Sequence, residues 1–176
     1  MEKVRISKIL SEKGLCSRRE ADKFIELGQV LLDGKTVSEL GAKACRSQKV
    51  ELKDKAKKTQ SSKATIILHK PVGYISHLDD DKEFTPAASL ITPDKYFKQN
   101  KENKNPVFNS DGLAPAGRLD IDSSGLLVLT QDGRVAKRII GENVIVEKEY
   151  LVRVEGNLSD SNLKLLNHGL TLEGSV

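Results

Sequence analysis

In the stretch APAGRLDIDSSGLLVLTQDG, residues 114 to 133, Arg118 and Asp120 stand two positions apart, just before a small polar turn and an unbroken apolar run. Residues two apart share one face if the chain is extended. Gly117 permits a sharp or close-packed backbone, and DSSG allows a turn before the next strand. This arrangement would lift a carboxylate onto the lip of a sheet, where a rigid strand end aims it and a neighbouring guanidinium keeps it ionised. A carboxylate so held can attack a carbon centre covalently or assist a proton transfer. The same pattern also describes a surface turn with Asp120 and Asp122 simply solvated, and local spacing leaves both readings open.

The elements that position these groups belong to a chain of 176 residues with 38% hydrophobic and 31% charged residues, a balance suited to a soluble globular protein. No apolar run approaches the roughly 20 residues of a spanning helix, and the start, MEKVRISKIL, lacks a signal-peptide apolar core. A cytoplasmic location without membrane contact is expected. Cys16 and Cys45 form neither a CxxC pair nor a cluster with His69, His77 and His168, so buried or partly buried free thiols are expected rather than zinc ligands or a disulfide. Charge is uneven. Residues 1 to 63 hold 16 Lys/Arg against 9 Asp/Glu, and the remainder 13 against 16, which makes the first part the natural dock for a polyanion.

Residues 4 to 27 read as two short helices. Gly14 stops the first, Ser17 and Glu20 form a capping box for the second, and Gly28 closes it. QVLLDGKTV predicts a hairpin turning at Asp33-Gly34, and QKVEL a further strand. Residues 53 to 63, KDKAKKTQSSK, contain no strongly apolar residue and read as a basic linker unable to join a core. Beyond it, ATIILHKPVGYIS suggests a strand, a Pro/Gly turn and a second extended piece. Residues 77 to 112 form a long polar insertion with a short helix near TPAASLI and expected disorder over 98 to 112. There follow the GRLD turn, a strand GLLVLT, a helix from Gly133 to Ile140, a strand EKEYLVRV and a helix from about Ser159 to His168. The expected class is α+β: a small helical and hairpin module over 1–52, a linker over 53–63 and a mixed-sheet domain over 64–176.

Arg5, Lys8, Arg18, Arg19 and Lys23 lie on or beside the two short helices, where they can bind phosphates without reading sequence. The stretch RISKILSEKGLCSRREADKFIELGQVLLDGKTV, above all its CSRREAD block and DG hairpin, resembles the RNA-binding module named after the fourth protein of the small ribosomal subunit. Then LHKPVGYIS, AGRLDIDSSGLLVLTQDG and EKEYLVRV resemble, in order and spacing, the three successive motifs of pseudouridine synthases of the ribosomal small subunit pseudouridine synthase A type, which carry the same module. The resemblance implies a mixed-sheet synthase domain and isomerisation of a uridine in ribosomal RNA to pseudouridine, a step in ribosome biogenesis. It implies Asp120 as the catalytic aspartate, Arg118 as its positioning partner, Tyr150 stacking on the target uracil and Lys148 supporting the same pocket. Lys70, Pro71 and Gly73 match the first motif and are expected to shape the pocket wall; Asp122 and Asp132 are expected to be turn or cap residues. No redox cofactor or metal is needed for an isomerisation, and a complete domain is expected to be monomeric.

Three features depart from the resembled family. His69 stands where Asn is common and receives no role, the 77 to 112 insertion is long, and the chain stops at TLEGSV, short of further strands and an arginine-rich segment. The synthase domain is therefore expected to be incomplete at its C-terminal side, with uncovered sheet edges, poor solubility or dependence on partners, and little or no activity for residues 1 to 176 alone. The competing reading is a non-catalytic RNA-binding protein that keeps a truncated synthase fold. A carboxylate-based glycosidase would need a second placed acid, and Asp122 is a poorly motivated candidate.

Overall fold

The structure is a computed structural model that describes residues 2–77, 83–95, 97 and 111–169. They fall into two compact units, residues 1–146 and residues 147–176.

The first unit opens with strand β1 (Lys3–Arg5), helix α1 (Ile6–Glu12) and helix α2 (Arg18–Glu26). The expected helix start at residue 4 is corrected: Val4 is a strand residue paired with Ala44 of β4 (Lys43–Cys45), a non-local partner that no local pattern could reveal. The expected capping box forms, with the Ser17 hydroxyl accepting from the Glu20 amide and the Glu20 carboxylate from the Ser17 amide. β2 (Val30–Leu32) and β3 (Lys35–Val37) form the expected hairpin. Asp33 and Gly34 turn it at φ 48° and 80°, the left-handed pair that matches the twist of the flanking strands. β5 (Val50–Leu52) adds to β2, giving the order β3-β2-β5. Ile6, Leu10, Ile25 and Val30 are fully buried between helices and strands.

Residues 53 to 63 do not form a passive linker. Asp54–Ser61 is a helix, α3, and its Ala56 is fully buried in the same core. Lys, Ala and Gln are good helix formers, and one small apolar residue suffices to seat a two-turn helix.

The second sheet is antiparallel in the order β6-β8-β7, from β6 (Thr65–Lys70), β7 (Ala114–Pro115) and the expected GLLVLT strand β8 (Gly125–Thr130). Its inner face carries Leu127 and Leu129, packed with Ala87 and Leu113 and flanked by Ile66, Leu68 and Leu119. The short helix expected near TPAASLI is a 3-10 turn, Ala87–Leu90. The disorder expected over 98 to 112 lies, for 98–110, outside the described residues; Asp111 and Gly112 form a turn. The helix predicted after β8 is α4 (Gly133–Ile140).

In the second unit, Ser159 caps helix α5 (Asp160–His168), as expected. The strand expected at EKEYLVRV is corrected: residues 147–154 are in no strand, because no described segment forms a ladder with them. Alternating apolar residues give a segment strand propensity, but only a partner's N–H and C=O groups make it a strand.

Candidate functional site

β7 and β8 are joined by a loop carrying Arg118 and Asp120. Ala116 donates to the Val128 carbonyl at 2.8 Å, Gly117 turns the chain at φ 112°, and the Ser123 amide donates to the Asp120 carbonyl at 3.1 Å, closing a turn. Both the Arg118 and Asp120 side chains are exposed. No hydrogen bond or ion pair joins them among the described residues, so the pairing implied by the resemblance is not formed there. A solvated pair of this kind gains little by closing.

Main-chain bracing holds the loop instead. The buried Ser76 hydroxyl accepts from the Leu119 amide at 2.9 Å and donates to the Leu119 carbonyl at 2.7 Å, gripping both sides of the residue between Arg118 and Asp120. Two residues on, the Ile121 carbonyl accepts from the Gly73 amide at 2.8 Å. Below lies Lys70, fully buried at the end of β6, whose ammonium donates to the carbonyls of Tyr74 (2.7 Å), Pro71 (3.0 Å) and Ile121 (3.5 Å). Burial lowers the Lys70 ammonium below the ordinary lysine range, against the pull of the Asp120 and Asp122 carboxylates. The KPVGYIS segment thus clasps the GRLDIDSS segment, with one positive charge inside the clasp and two carboxylates facing it. Ser76 carries no sequence signal. Lys70 does carry one, since strand alternation puts it on the same face as the inward-facing Ile66 and Leu68.

The other expected site residues lie on several elements. Arg5 lies on β1, Lys8 on α1, and Arg18, Arg19 and Lys23 on α2. Lys8 stands 3.9 Å from Glu12, which also pairs with Arg46. Lys148 and Tyr150 belong to the second unit, where Tyr150 is 60% exposed.

A second constellation joins the helical module to the sheet domain. The starts of α2 and α4 abut so closely that a Cβ on Gly133 would lie 2.5 Å from the Cβ of Ser17. Two helix N-termini are both partially positive, and carboxylates relieve the conflict. Glu20 pairs with Lys63 and accepts from the Gly133 amide at 3.4 Å. Asp132, the expected cap, accepts from the Arg134 amide at 2.9 Å, from the Arg134 guanidinium through both oxygens, and from Gln60 at 3.1 Å. Arg134 also donates to the Gly14 carbonyl at 3.3 Å. Beside them, burial pushes the Cys16 thiol up to about 11, leaving it protonated and inert at neutral pH. Cys45 is the other free thiol, partly buried.

Two expectations follow from this junction. Gly133→Ala drives a methyl into Ser17, and about 1–3 kcal/mol of stability is expected to be lost, read as a lower urea midpoint at unchanged slope. An unchanged midpoint would mean that the helix ends are not held this closely. The second concerns acid. Burial works against the Asp132 carboxylate, but its bonds from Arg134 outweigh burial and hold it below the usual carboxylate range. A depressed folded value contributes stability that is present above the unfolded value near pH 4 and lost as pH falls through the folded one. Asp132→Asn is therefore expected to flatten the acid limb of a stability-versus-pH curve below about pH 4; an identical limb would exclude Asp132 as its source.

A small basic helical and hairpin module, joined to an antiparallel sheet that presents an aspartate on a braced loop, matches known models in both parts. The RNA pseudouridylate synthase model matches residues 64–171 and the S4 domain model residues 4–50. The chain is 38% identical over 174 residues to an uncharacterized RNA pseudouridine synthase of Aquifex aeolicus, covering 98% of this chain and 64% of that protein. It is 33% identical over 169 residues to ribosomal large subunit pseudouridine synthase B of Bacillus subtilis, covering 96% and 63%. It is 32% identical over 176 residues to the dual-specificity RNA pseudouridine synthase RluF of Escherichia coli O6:H1, covering 98% and 54%. The chain belongs to the RNA pseudouridylate synthase family and carries an S4 domain, which bears out the resemblance drawn from its motifs. It spans between 54% and 64% of the length of these relatives. Among the described residues no helix is long and apolar enough to cross a membrane.

Proposed function

We propose that the protein containing this chain isomerises a specific uridine in ribosomal RNA to pseudouridine, with Asp120 as the acting carboxylate. The observation that carries this reading is the GRLD loop: an exposed aspartate on a doubly braced turn, within the residues matched by the synthase family model. The reaction breaks the bond from ribose carbon 1′ to base nitrogen 1, turns the base, and joins carbon 1′ to base carbon 5. Carbon 5 loses its proton and nitrogen 1 gains one, so no electrons are exchanged and no redox cofactor is required. An ionised, unencumbered carboxylate can take part by covalent attack or by assisting deprotonation at the sugar. Asp120 is exposed, and no side-chain donor occupies its carboxylate among the described residues.

In this reading Arg118, exposed on the same loop, engages the nucleotide beside Asp120. Tyr150 supplies a ring on which the detached uracil stacks, and Lys148 supports that pocket. A paired target would first be flipped from its stack. Arg5, Lys8, Arg18, Arg19 and Lys23 of the S4 domain anchor the surrounding RNA, separating affinity from chemistry. A ribosomal substrate is supported by the Bacillus subtilis relative, which is named for the large ribosomal subunit. The test is tritium release from ribosomal RNA transcribed with uridine labelled at carbon 5, comparing residues 1–176 with the full product of the natural reading frame. Release by the full product supports the isomerase. Tight binding without release by either would leave an RNA-binding protein that has kept the fold.

A further inference from the structure

The S4 domain and α4 enclose an open cleft of about 490 Å³, within the first compact unit and separate from the GRLD loop. One wall is Ser11, Gly14 and Ser17; the other is the face of α4 that carries Arg134, Lys137 and Arg138. These three cations are spaced i, i+3 and i+4, so they form one stripe on the helix. Arg134 is committed to Asp132, and that bidentate pair cancels the carboxylate in the cleft wall. Lys137 and Arg138 are exposed, and neither has a carboxylate at ion-pair distance among the described residues. The cleft therefore carries uncompensated positive charge. On its far side, Ser17 is followed directly by the exposed Arg18 and Arg19 at the start of α2.

We propose that this cleft is a binding site for the RNA sugar-phosphate backbone, carrying the strand from the S4 domain onto the sheet domain through Lys137 and Arg138. The inference rests on the RNA-modifying reading above and assigns a part of the substrate to a place in the fold. Its lining favours backbone over base: it has two free cations and hydroxyl and main-chain donors, but no aromatic side chain on which a base could stack. The junction network gives the site its rigidity. Gly133, with no side chain, lets the two helix starts close to form the floor, and Arg134 bridges to the Gly14 carbonyl across it.

The test is RNA binding by the full natural protein across a salt series, comparing wild type, Lys137→Ala/Arg138→Ala, and a control of equal net charge, Lys43→Ala/Lys55→Ala. All four side chains are exposed, so none of these changes removes core packing. The cleft variant is expected to bind a ribosomal RNA fragment several-fold more weakly, with a salt slope shallower by about 2, one unit for each phosphate that is no longer neutralised. The control is expected to keep the wild-type slope. Unchanged affinity and slope in the cleft variant would overturn the proposal, as would equal losses in the control, which would mark a net-charge effect. Tritium release by wild type, measured in parallel, tests the isomerase reading separately: release with unaltered binding in the cleft variant sinks only the cleft. A titration with inorganic phosphate is a further arm, because a ligand that binds only the folded state raises the unfolding midpoint as its concentration passes its dissociation constant. If it raises the unfolding midpoint of wild type but not of the cleft variant, while the two bind RNA equally, a free-anion site replaces the backbone site.

Discussion

Asp120→Asn is expected to abolish tritium release while RNA affinity and the unfolding midpoint stay at wild-type values. The substitution keeps the side chain's size, and no hydrogen bond that holds the loop uses the carboxylate. The Asp120 residue is held through its backbone carbonyl, which accepts from Ser123, and the Ser76 grip falls on Leu119. Only the negative charge and the nucleophilic oxygen are removed. Groups that move a proton in the reaction contribute factors of about 10² to 10⁴, so release should fall by at least roughly 10²-fold. The result that would sink the assignment is release within tenfold of wild type, whereupon Asp122→Asn becomes the variant to measure.

Lys70→Met should be the most destabilising single change near the site. A buried charge is costly, and methionine removes that cost. Against it stand three carbonyls that the ammonium satisfies, of which the Ile121 carbonyl retains the Gly73 amide while those of Pro71 and Tyr74 lose a charged donor. Orphaned buried acceptors cost about 1–3 kcal/mol each, and hydrogen bonds to charged groups exceed neutral ones, so the loss wins, by about 3 kcal/mol. A urea midpoint unchanged by the substitution would show that the ammonium merely fills space. Alkaline titration gives a second readout. The folded Lys70 value lies below its unfolded one. Between the two, the unfolded chain binds more protons, so this group makes wild-type stability rise with pH up to about 10.4. The methionine variant should lack that rise.

Much of the local structure is legible in the sequence because its causes are local. The Ser17–Glu20 box, the Asp33-Gly34 turn, the α4 boundaries and the α5 cap depend on residues within four positions of one another. Elements decided at long range are not. Val4 reads as helical because its partner, Ala44, is forty residues away, and EKEYLVRV reads as a strand because its own alternation cannot say whether a ladder partner exists. The stretch KDKAKKTQSSK reads as unable to pack because it lacks large apolar residues, yet Ala56 and Gln60 are buried by contact with chain on either side. At the candidate site, spacing picks out Arg118 and Asp120 but not the source of their positioning: the guanidinium does not hold the carboxylate, and Ser76, forty-three residues before Leu119, holds the loop.

The junction at Gly133 bears on how such chains can be recombined. A family boundary drawn between residues 50 and 64 suggests a detachable cassette, ready to be transplanted onto another synthase or exchanged for a foreign RNA binder. The contacts run the other way. Glu20 of the S4 domain accepts from the Gly133 amide of the synthase domain and pairs with Lys63 of the connecting segment, while Asp132 of the synthase domain draws on Gln60 of that segment and Arg134 on Gly14 of the S4 domain. A graft that changed hosts without this matched set would bring two like-signed helix ends together with no carboxylate between them, and a bulkier residue at either end would prop the halves apart. Compatibility between swapped parts would then be decided by a handful of small and charged residues at the seam, none of them on the GRLD loop.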